Sequence, residues 1–425
     1  MELGILVVIA TILLVLLRVP VAMAFAAPSI VYILYTGTPS VVLAQRMLRS
    51  LNSYTILAVP LFIYVGSLLN YGGITDRIFE FAEELIGHYR GGLAQVNIIA
   101  SLIFSGMSGA ALADVGGLGR MLIHAMSEGG YERDYSAAVT SASATVGPIF
   151  PPSIPFIIYG IVGEVSVIDL FLAGIIPAFL CTIMLVAMTA IIARRRGFPT
   201  SENNTTVREK GRLFFIALPA LLTPVVLISG MLTGAFGPTE VAAVTVVYVI
   251  LINILFYGNR SVSYLITAAR EAVHTTSRIL FILAGAAMFS YVISIEQLSG
   301  AVATSLLGVS DNVYVLLILI NLLLLFVGLF LETVAAILIM TPIFLPPMEQ
   351  LGVDPVHFGV IMVFNLMIGL LTPPLGLSVF ISADIAEVPV EDVINDVKPY
   401  YIPLVLTLLI ITFLPALLLW MPSLV

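Results

Sequence analysis

Two stretches of the sequence set small oxygen-bearing residues beside glycines in otherwise apolar surroundings. The first is Ser105-Gly-Met-Ser108-Gly109-Ala-Ala-Leu-Ala-Asp114-Val-Gly116-Gly117-Leu-Gly119, with five glycines and two serines. The second is Gly328-Leu-Phe-Leu-Glu332-Thr333-Val-Ala-Ala. Glycines at this density allow close helix contact, and they also permit local unwinding that bares carbonyl oxygens. A hard monovalent cation needs a cage of oxygens, which bared carbonyls with Ser, Thr and Asn side chains supply without a full buried countercharge. One candidate cage joins Ser105, Ser108 and Ser143 to the carbonyls around Gly147 and Ile149. The other joins Gly328 and Thr333 to Asn365, Gly369 and Thr372. For any single residue, a hydroxyl bonded to its own helix carbonyl is the plainer account. The pairing of the two sets along the chain is what favours ion sites.

Each set is followed by a segment that must position it. Tyr135 to Gly163 is uncharged over 29 residues, and Pro355 to Ala383 carries only His357 over 29. Neither holds two crossings of about 20 residues each. Both contain a central Pro-Pro pair, Pro151-Pro152 and Pro373-Pro374, and proline lacks the N–H and clashes with the carbonyl one turn back, so a straight helix breaks there. We read both as re-entrant helical hairpins, over 135–163 and 355–383, with tips at Ile149 to Pro155 and Leu371 to Leu377; a pair of kinked helices that cross is the alternative. Broken backbone in hydrocarbon must face protein or a wet cavity. Two breaks at equivalent places in two halves therefore point to a transport site.

The equivalence is visible by register. Gly147-Pro-Ile-Phe-Pro151-Pro152 recurs as Gly369-Leu-Leu-Thr-Pro373-Pro374, an offset of 222 that also brings Gly106 onto Gly328 and Ser143 onto Asn365. Between the halves lies a polar loop holding Arg194, Arg195, Arg196, Arg208, Lys210 and Arg212, six of the 17 basic residues. By the positive-inside rule it is cytoplasmic. The chain thus divides into a first repeat over 1–193, a basic linker over 194–212 and a second repeat over 213–425. Amphipathic stretches Ile74 to Ile86 and Val262 to Val273, each charged and beside a span, read as equivalent interfacial arms.

Composition fixes the solvent of the whole. The 425 residues are 60% hydrophobic and 10% charged, with a mean hydropathy of +1.13; such a chain cannot clothe itself in polar surface. It is an all-α polytopic membrane protein, with room for about ten to twelve membrane segments. Leu3 to Leu17 follows acidic Glu2 and lacks a basic n-region, so it reads as a retained membrane helix. A net charge of −8 excludes the broad basic surface that nucleic acid requires. The single cysteine, Cys181, sits in an apolar run and reads as packing. His88, His124, His274 and His357 share no ligand spacing, so no transition-metal site is expected. The only lysines are Lys210 and Lys398 and no phosphate-binding loop exists, so nucleotide hydrolysis is excluded and uphill movement must draw on an ion gradient. No nucleophile-base motif is present, which argues against an enzyme. Glu332 and Asp114 are intramembrane carboxylates and hence functional candidates, Asp114 better as a structural anchor; Glu240 and Glu296 lie nearer an edge.

Together, Phe104-Ser-Gly-Met-Ser-Gly109, Gly147-Pro-Ile-Phe-Pro-Pro-Ser-Ile-Pro155, Gly237-Pro-Thr-Glu-Val-Ala-Ala243 and Gly369-Leu-Leu-Thr-Pro-Pro-Leu-Gly376 resemble the large membrane subunit of tripartite ATP-independent periplasmic (TRAP) transporters, over essentially the whole chain. The resemblance implies a sodium-coupled importer in the inner membrane of a bacterium or archaeon. It implies inverted repeats, an elevator-type transport domain on a scaffold, two or more Na⁺ sites at the residues given above, and organic-acid substrates such as dicarboxylates or sialic acid. It also implies two partners, a small four-helix membrane subunit and a soluble periplasmic substrate-binding protein. The substrate carboxylate is expected near Pro152, Ser153, Pro374 and Gly376, with Thr372 close by, met by helix ends and loop N–H groups. One departure is Gly109-Ala110-Ala111, where the family often has further hydroxyls; the first cage then leans more on backbone carbonyls. From the residues alone, an ion or solute channel lined by the two broken segments is the competing reading.

Overall fold

The computed structural model describes residues 2–87, 89–109, 111–198, 207–234, 236–259, 261–310 and 312–424. The middle of the basic linker, with Pro199, Ser201, Asn203 and Asn204, lies outside them. The described residues are helical throughout, with no strand. Among the described residues, seven helices are long and apolar enough to cross a membrane, from Tyr54–Tyr71 to Val390–Phe413, alongside shorter apolar helices such as Ile154–Gly163 and Pro355–Gly369. The outer faces of several helices present Leu, Ile, Val and Phe to the surroundings, as a lipid solvent demands.

The basic end of the bundle is marked by Arg196, the last residue of the helix Val167–Arg196. Its guanidinium bonds Glu132 at 3.0 Å and grips both carboxylate oxygens of Asp396. Arg133 lies 3.6 Å from Glu387 at the same end. The far end is marked by Tyr159, whose hydroxyl donates to the Pro355 carbonyl at 2.8 Å, and by His357 Nε2 at 2.8 Å from the Ile411 carbonyl.

These contacts decide how the Pro-Pro segments run. The first leaves the helix Arg133–Ser143, passes through a short 3-10 turn and a non-helical stretch over 147–153, and resumes as Ile154–Gly163. It is followed by the 30-residue helix Val167–Arg196, about 45 Å long at 1.5 Å per residue, whose last residue returns to Glu132. Residues 132 and 163 must then lie at opposite ends. The second segment, Pro355–Gly369 and Leu377–Ala386, starts at the far end beside Tyr159 and finishes at the basic end beside Arg133. Both are interrupted crossings that run antiparallel to one another, which corrects the hairpin assignment for 135–163 and 355–383. Length does not separate the two arrangements, because 29 uncharged residues also suit one crossing with an unwound middle.

Chain reversal falls instead on the segments just upstream. The helix Gly92–Ser108 begins at the basic end, where Gly91 lies against Ala193 and Leu93 against Gly129. Its partner Leu118–Glu128 comes back to that end, and Asn97 Nδ2 reaches Met126 Sδ at 3.4 Å. In the second half Val313–Gly328 starts at the far end, with the Tyr314 and Phe413 rings 5.6 Å apart, and Thr333–Gln350 returns there, with Leu345 against Gly163. The two reversing segments enter from opposite ends.

The amphipathic stretches also pair differently from expectation. At the 222-residue offset the start of Val262–Ile295 falls on the helix Val41–Leu51, and Ile74–Ile86 falls on Leu298–Leu307. Val262 to Val273 is moreover continuous with a 34-residue helix.

Candidate functional site

Each reversal ends in a glycine that touches a Pro-Pro break. Gly109 takes φ +63°, a conformation that disfavours side chains, and a Cβ there would stand 2.5 Å from the Pro152 carbonyl oxygen. Its own carbonyl accepts the Ile154 N–H at 3.4 Å. In the other half a Cβ at Gly369 would lie 2.6 Å from Gly328 Cα, and Gly328, Gly369 and Gly376 line one small cavity. The site therefore comprises two backbone-to-backbone junctions, each between a reversal tip and an unwound crossing.

Local capping explains why the helices restart where they do. Ser153 accepts the Phe156 N–H at 3.1 Å, with Pro155 in the first turn. Its hydroxyl proton goes to the Pro148 carbonyl, so Ser153 acts as a cap. Glu332 caps Thr333–Gln350 through the Ala335 N–H at 3.3 Å, an anchoring role for one of the intramembrane carboxylates. Asp354 caps Pro355–Gly369 through the Val356 and His357 N–H groups at 2.8 and 3.1 Å.

The expected cation ligands fare unequally. Ser105 and Ser108 lie in the last turn of Gly92–Ser108, and their side chains fall outside the described residues. Ser143 is buried; its hydroxyl accepts from Ser101 at 2.9 Å and has Asn97 Oδ1 and the Thr140 carbonyl within 3.0 Å. Gly147 and Ile149 are in the unwound stretch, and the Ile149 carbonyl presses on Gly174 of the long helix, where any Cβ would collide. In the second half, Thr333 Oγ1 and Asn365 Oδ1 are buried oxygens without a hydrogen-bond donor. Such atoms are costly unless something positive meets them, and they fit a hard cation by type. Thr372 donates to the Ile368 carbonyl at 2.8 Å and keeps its lone pairs. Of the expected substrate contacts, Pro152 and Ser153 are buried, while Pro374 is exposed and Gly376, at φ +41°, opens Leu377–Ala386.

Several polar residues in the site carry no sequence motif. Ser141 and Ser382 face each other across the two interrupted crossings with hydroxyls 2.6 Å apart, and Ser141 also donates to the Ser378 carbonyl at 3.1 Å. Asn97 Nδ2 donates to Thr140 at 2.7 Å. Asn321 links Asn365 to Thr412. Asn321 and Thr412 sit in apolar runs, whereas Thr140 and Ser141 belong to a run of hydroxyl residues, Thr140-Ser-Ala-Ser143.

Known proteins share this architecture. The solved structure of the Alcanivorax borkumensis YdaH transporter superposes with a TM-score of 0.64 at 15% identity, over 90% of this chain and 89% of that one, a likeness of fold. The sialic acid TRAP transporter large permease protein SiaM of Vibrio cholerae is 40% identical over 95% of both chains. The C4-dicarboxylate TRAP transporter large permease protein DctM of Pseudomonas aeruginosa is 34% identical over 90% of this chain and 89% of that one. Residues 8–417 match the model of the tripartite ATP-independent periplasmic transporter DctM component. The chain is a multi-pass membrane protein and belongs to that family of TRAP transporter large permeases.

Proposed function

We propose that this permease imports a small organic anion across the inner membrane with Na⁺ as the coupling ion. The observation that carries the reading is the second junction, where Gly328 meets Gly369 and the oxygens of Thr333 and Asn365 are buried without donors. Thr333, Asn365, Thr372 and the carbonyls near Gly328 and Gly369 would hold one Na⁺; the Gly109–Pro152 junction with Ser105, Ser108, Gly147 and Ile149 would hold another. Bound cations offset the charge of an anion lying between the breaks, near Pro374 and Gly376, and so tie the two loads together. The names of the relatives, which cite sialic acid and C4-dicarboxylates, support a carboxylate substrate. Family membership supports a small membrane subunit and a periplasmic binding protein as partners.

Movement is proposed to be of the elevator type, within inverted repeats. Support comes from a 590 Å³ crevice at the far end. One wall is Ile161, Val162 and Glu164 of the interrupted crossing; the other is Arg46 and Arg49 with Leu283 to Ile295. Such a seam allows one body to slide past another.

The test is uptake into proteoliposomes holding this chain and its small subunit, with the binding protein outside. Accumulation should require an inward Na⁺ gradient and vanish when K⁺ replaces Na⁺. Equal accumulation in K⁺ would remove sodium coupling, and current without saturable accumulation would favour a channel.

A further inference from the structure

We propose that Thr412 and Asn321 are positioning residues that fix the amide of Asn365 so that it presents its oxygen, and not its NH₂ group, to a cation. The inference rests on the sodium reading above. It follows from counting donors along a buried chain of hydrogen bonds that joins three helices: Tyr401–Phe413, Val313–Gly328 and Pro355–Gly369.

The Thr412 hydroxyl donates its proton to the Leu408 carbonyl at 2.7 Å. A hydroxyl has one proton, so toward Asn321 the same oxygen can only accept. Asn321 meets it with Nδ2 at 3.0 Å. That choice turns Asn321 Oδ1 the other way, where it accepts from Asn365 Nδ2 at 2.8 Å; the same Nδ2 also donates to the Asn321 carbonyl at 3.0 Å. Both amide protons of Asn365 are thereby engaged. Its Oδ1 is left buried and without a donor, on a residue with 0% exposure.

The two ends of a carboxamide have nearly the same shape but opposite polarity. Shape cannot choose between them at this site; the Asn321 backbone carbonyl, which can only accept, and the Asn321 side-chain oxygen that Thr412 turns toward Asn365 together can. Reversed, Asn365 would aim two N–H groups where an oxygen is needed, and a cation would be repelled. The first half carries a comparable relay, in which Thr140 donates to the Ser136 carbonyl, accepts from Asn97 Nδ2 and so turns Asn97 Oδ1 toward Ser143. It ends on a hydroxyl, which has no second end to choose, so the choice of amide end arises at Asn365.

The test compares Thr412→Val, which keeps shape and removes the acceptor, with Thr412→Ser, which retains it, and with Asn365→Ala. Two readouts are taken: the Na⁺ concentration for half-maximal uptake in the three-component proteoliposomes, and the rise of the purified permease's Tm with added Na⁺. Thr412→Val should raise the Na⁺ midpoint by about fivefold or more, flatten the Na⁺-dependent rise in Tm, and leave the substrate KM at saturating Na⁺ unchanged. Thr412→Ser should behave as the parent. If Thr412→Val shifts the Tm equally with and without Na⁺ and leaves the Na⁺ midpoint in place, its role is structural only and the proposal is overturned. The sodium reading would survive if Asn365→Ala still raised the midpoint. An Asn365→Ala variant with the parental midpoint removes both the lock and the ligand. Should Thr412→Val fail to fold, Thr412→Ala removes the same acceptor and is judged by the same split.

Discussion

Gly328 and Gly369 meet backbone to backbone: a Cβ on Gly369 would stand 2.6 Å from Gly328 Cα and 2.7 Å from its carbonyl oxygen. Neither neighbour is a flexible side chain that could swing away. Gly369→Ala should therefore spread the two helices and destabilise the permease by about 1–3 kcal/mol, with loss of uptake. Gly328→Ala meets Gly369 Cα at 3.2 Å and should cost less. The check is thermal stability in detergent with uptake on the same preparations; equal tolerance of both alanines would mean the junction is looser than described.

The direction of the interrupted crossings is open to labelling. Glu132 and Glu164 are exposed residues flanking the first segment. As an interrupted crossing, it should show Glu132→Cys reacting with an impermeant maleimide from the side of the basic linker and Glu164→Cys from the opposite side. Labelling of both from one side would restore the re-entrant arrangement.

The positions of the breaks were legible in the sequence, because a Pro-Pro pair removes two N–H donors and leaves a mark no apolar helix carries. Their direction was not. An uncharged run constrains length and depth but says nothing about whether the chain comes back; direction shows only in ion pairs such as Arg133 with Glu387, between residues far apart in sequence. The true reversals were hidden for a related reason. Gly92–Ser108 is a short apolar helix with no proline to mark it, and Thr333–Gln350 meets the length and hydropathy expected of an ordinary span. Thr333 and Asn365 were legible as candidate ligands through their glycine neighbours and register. Ser141, Ser382, Asn321 and Thr412 were not, since what distinguishes them is a partner on another helix.

At the basic end Arg196 holds Asp396 and Glu132 together, and Asp396 is mostly buried. Removing the guanidinium leaves that carboxylate without its countercharge. Arg196→Gln should cost about 1.5–3 kcal/mol, the range for hydrogen bonds to charged groups. Because the loss is shared, Arg196→Gln with Asp396→Asn should be less harmful than the sum of the two singles. A double-mutant cycle on thermal stability measures this coupling, and simple additivity would show the pair to be inert.

The serine contact separates internal rigidity from domain motion. Ser141 and Ser382 lie with hydroxyls 2.6 Å apart on the two interrupted crossings. If those crossings travel as one body, locking them together should not arrest transport. A Ser141→Cys, Ser382→Cys variant, in a background with Cys181 replaced by Ala, should form a disulfide under mild oxidation and keep most of its uptake. The crevice between Ile161 and Ala287 lies instead on the boundary along which the moving body would slide. A bis-maleimide joining Ile161→Cys to Ala287→Cys should stop uptake while leaving Na⁺-dependent stabilisation in place. The contrast between the two cross-links carries the test: arrest by the serine-position disulfide would show that the crossings shift against each other during the cycle, and continued uptake with the crevice bridged would show that this seam does not move.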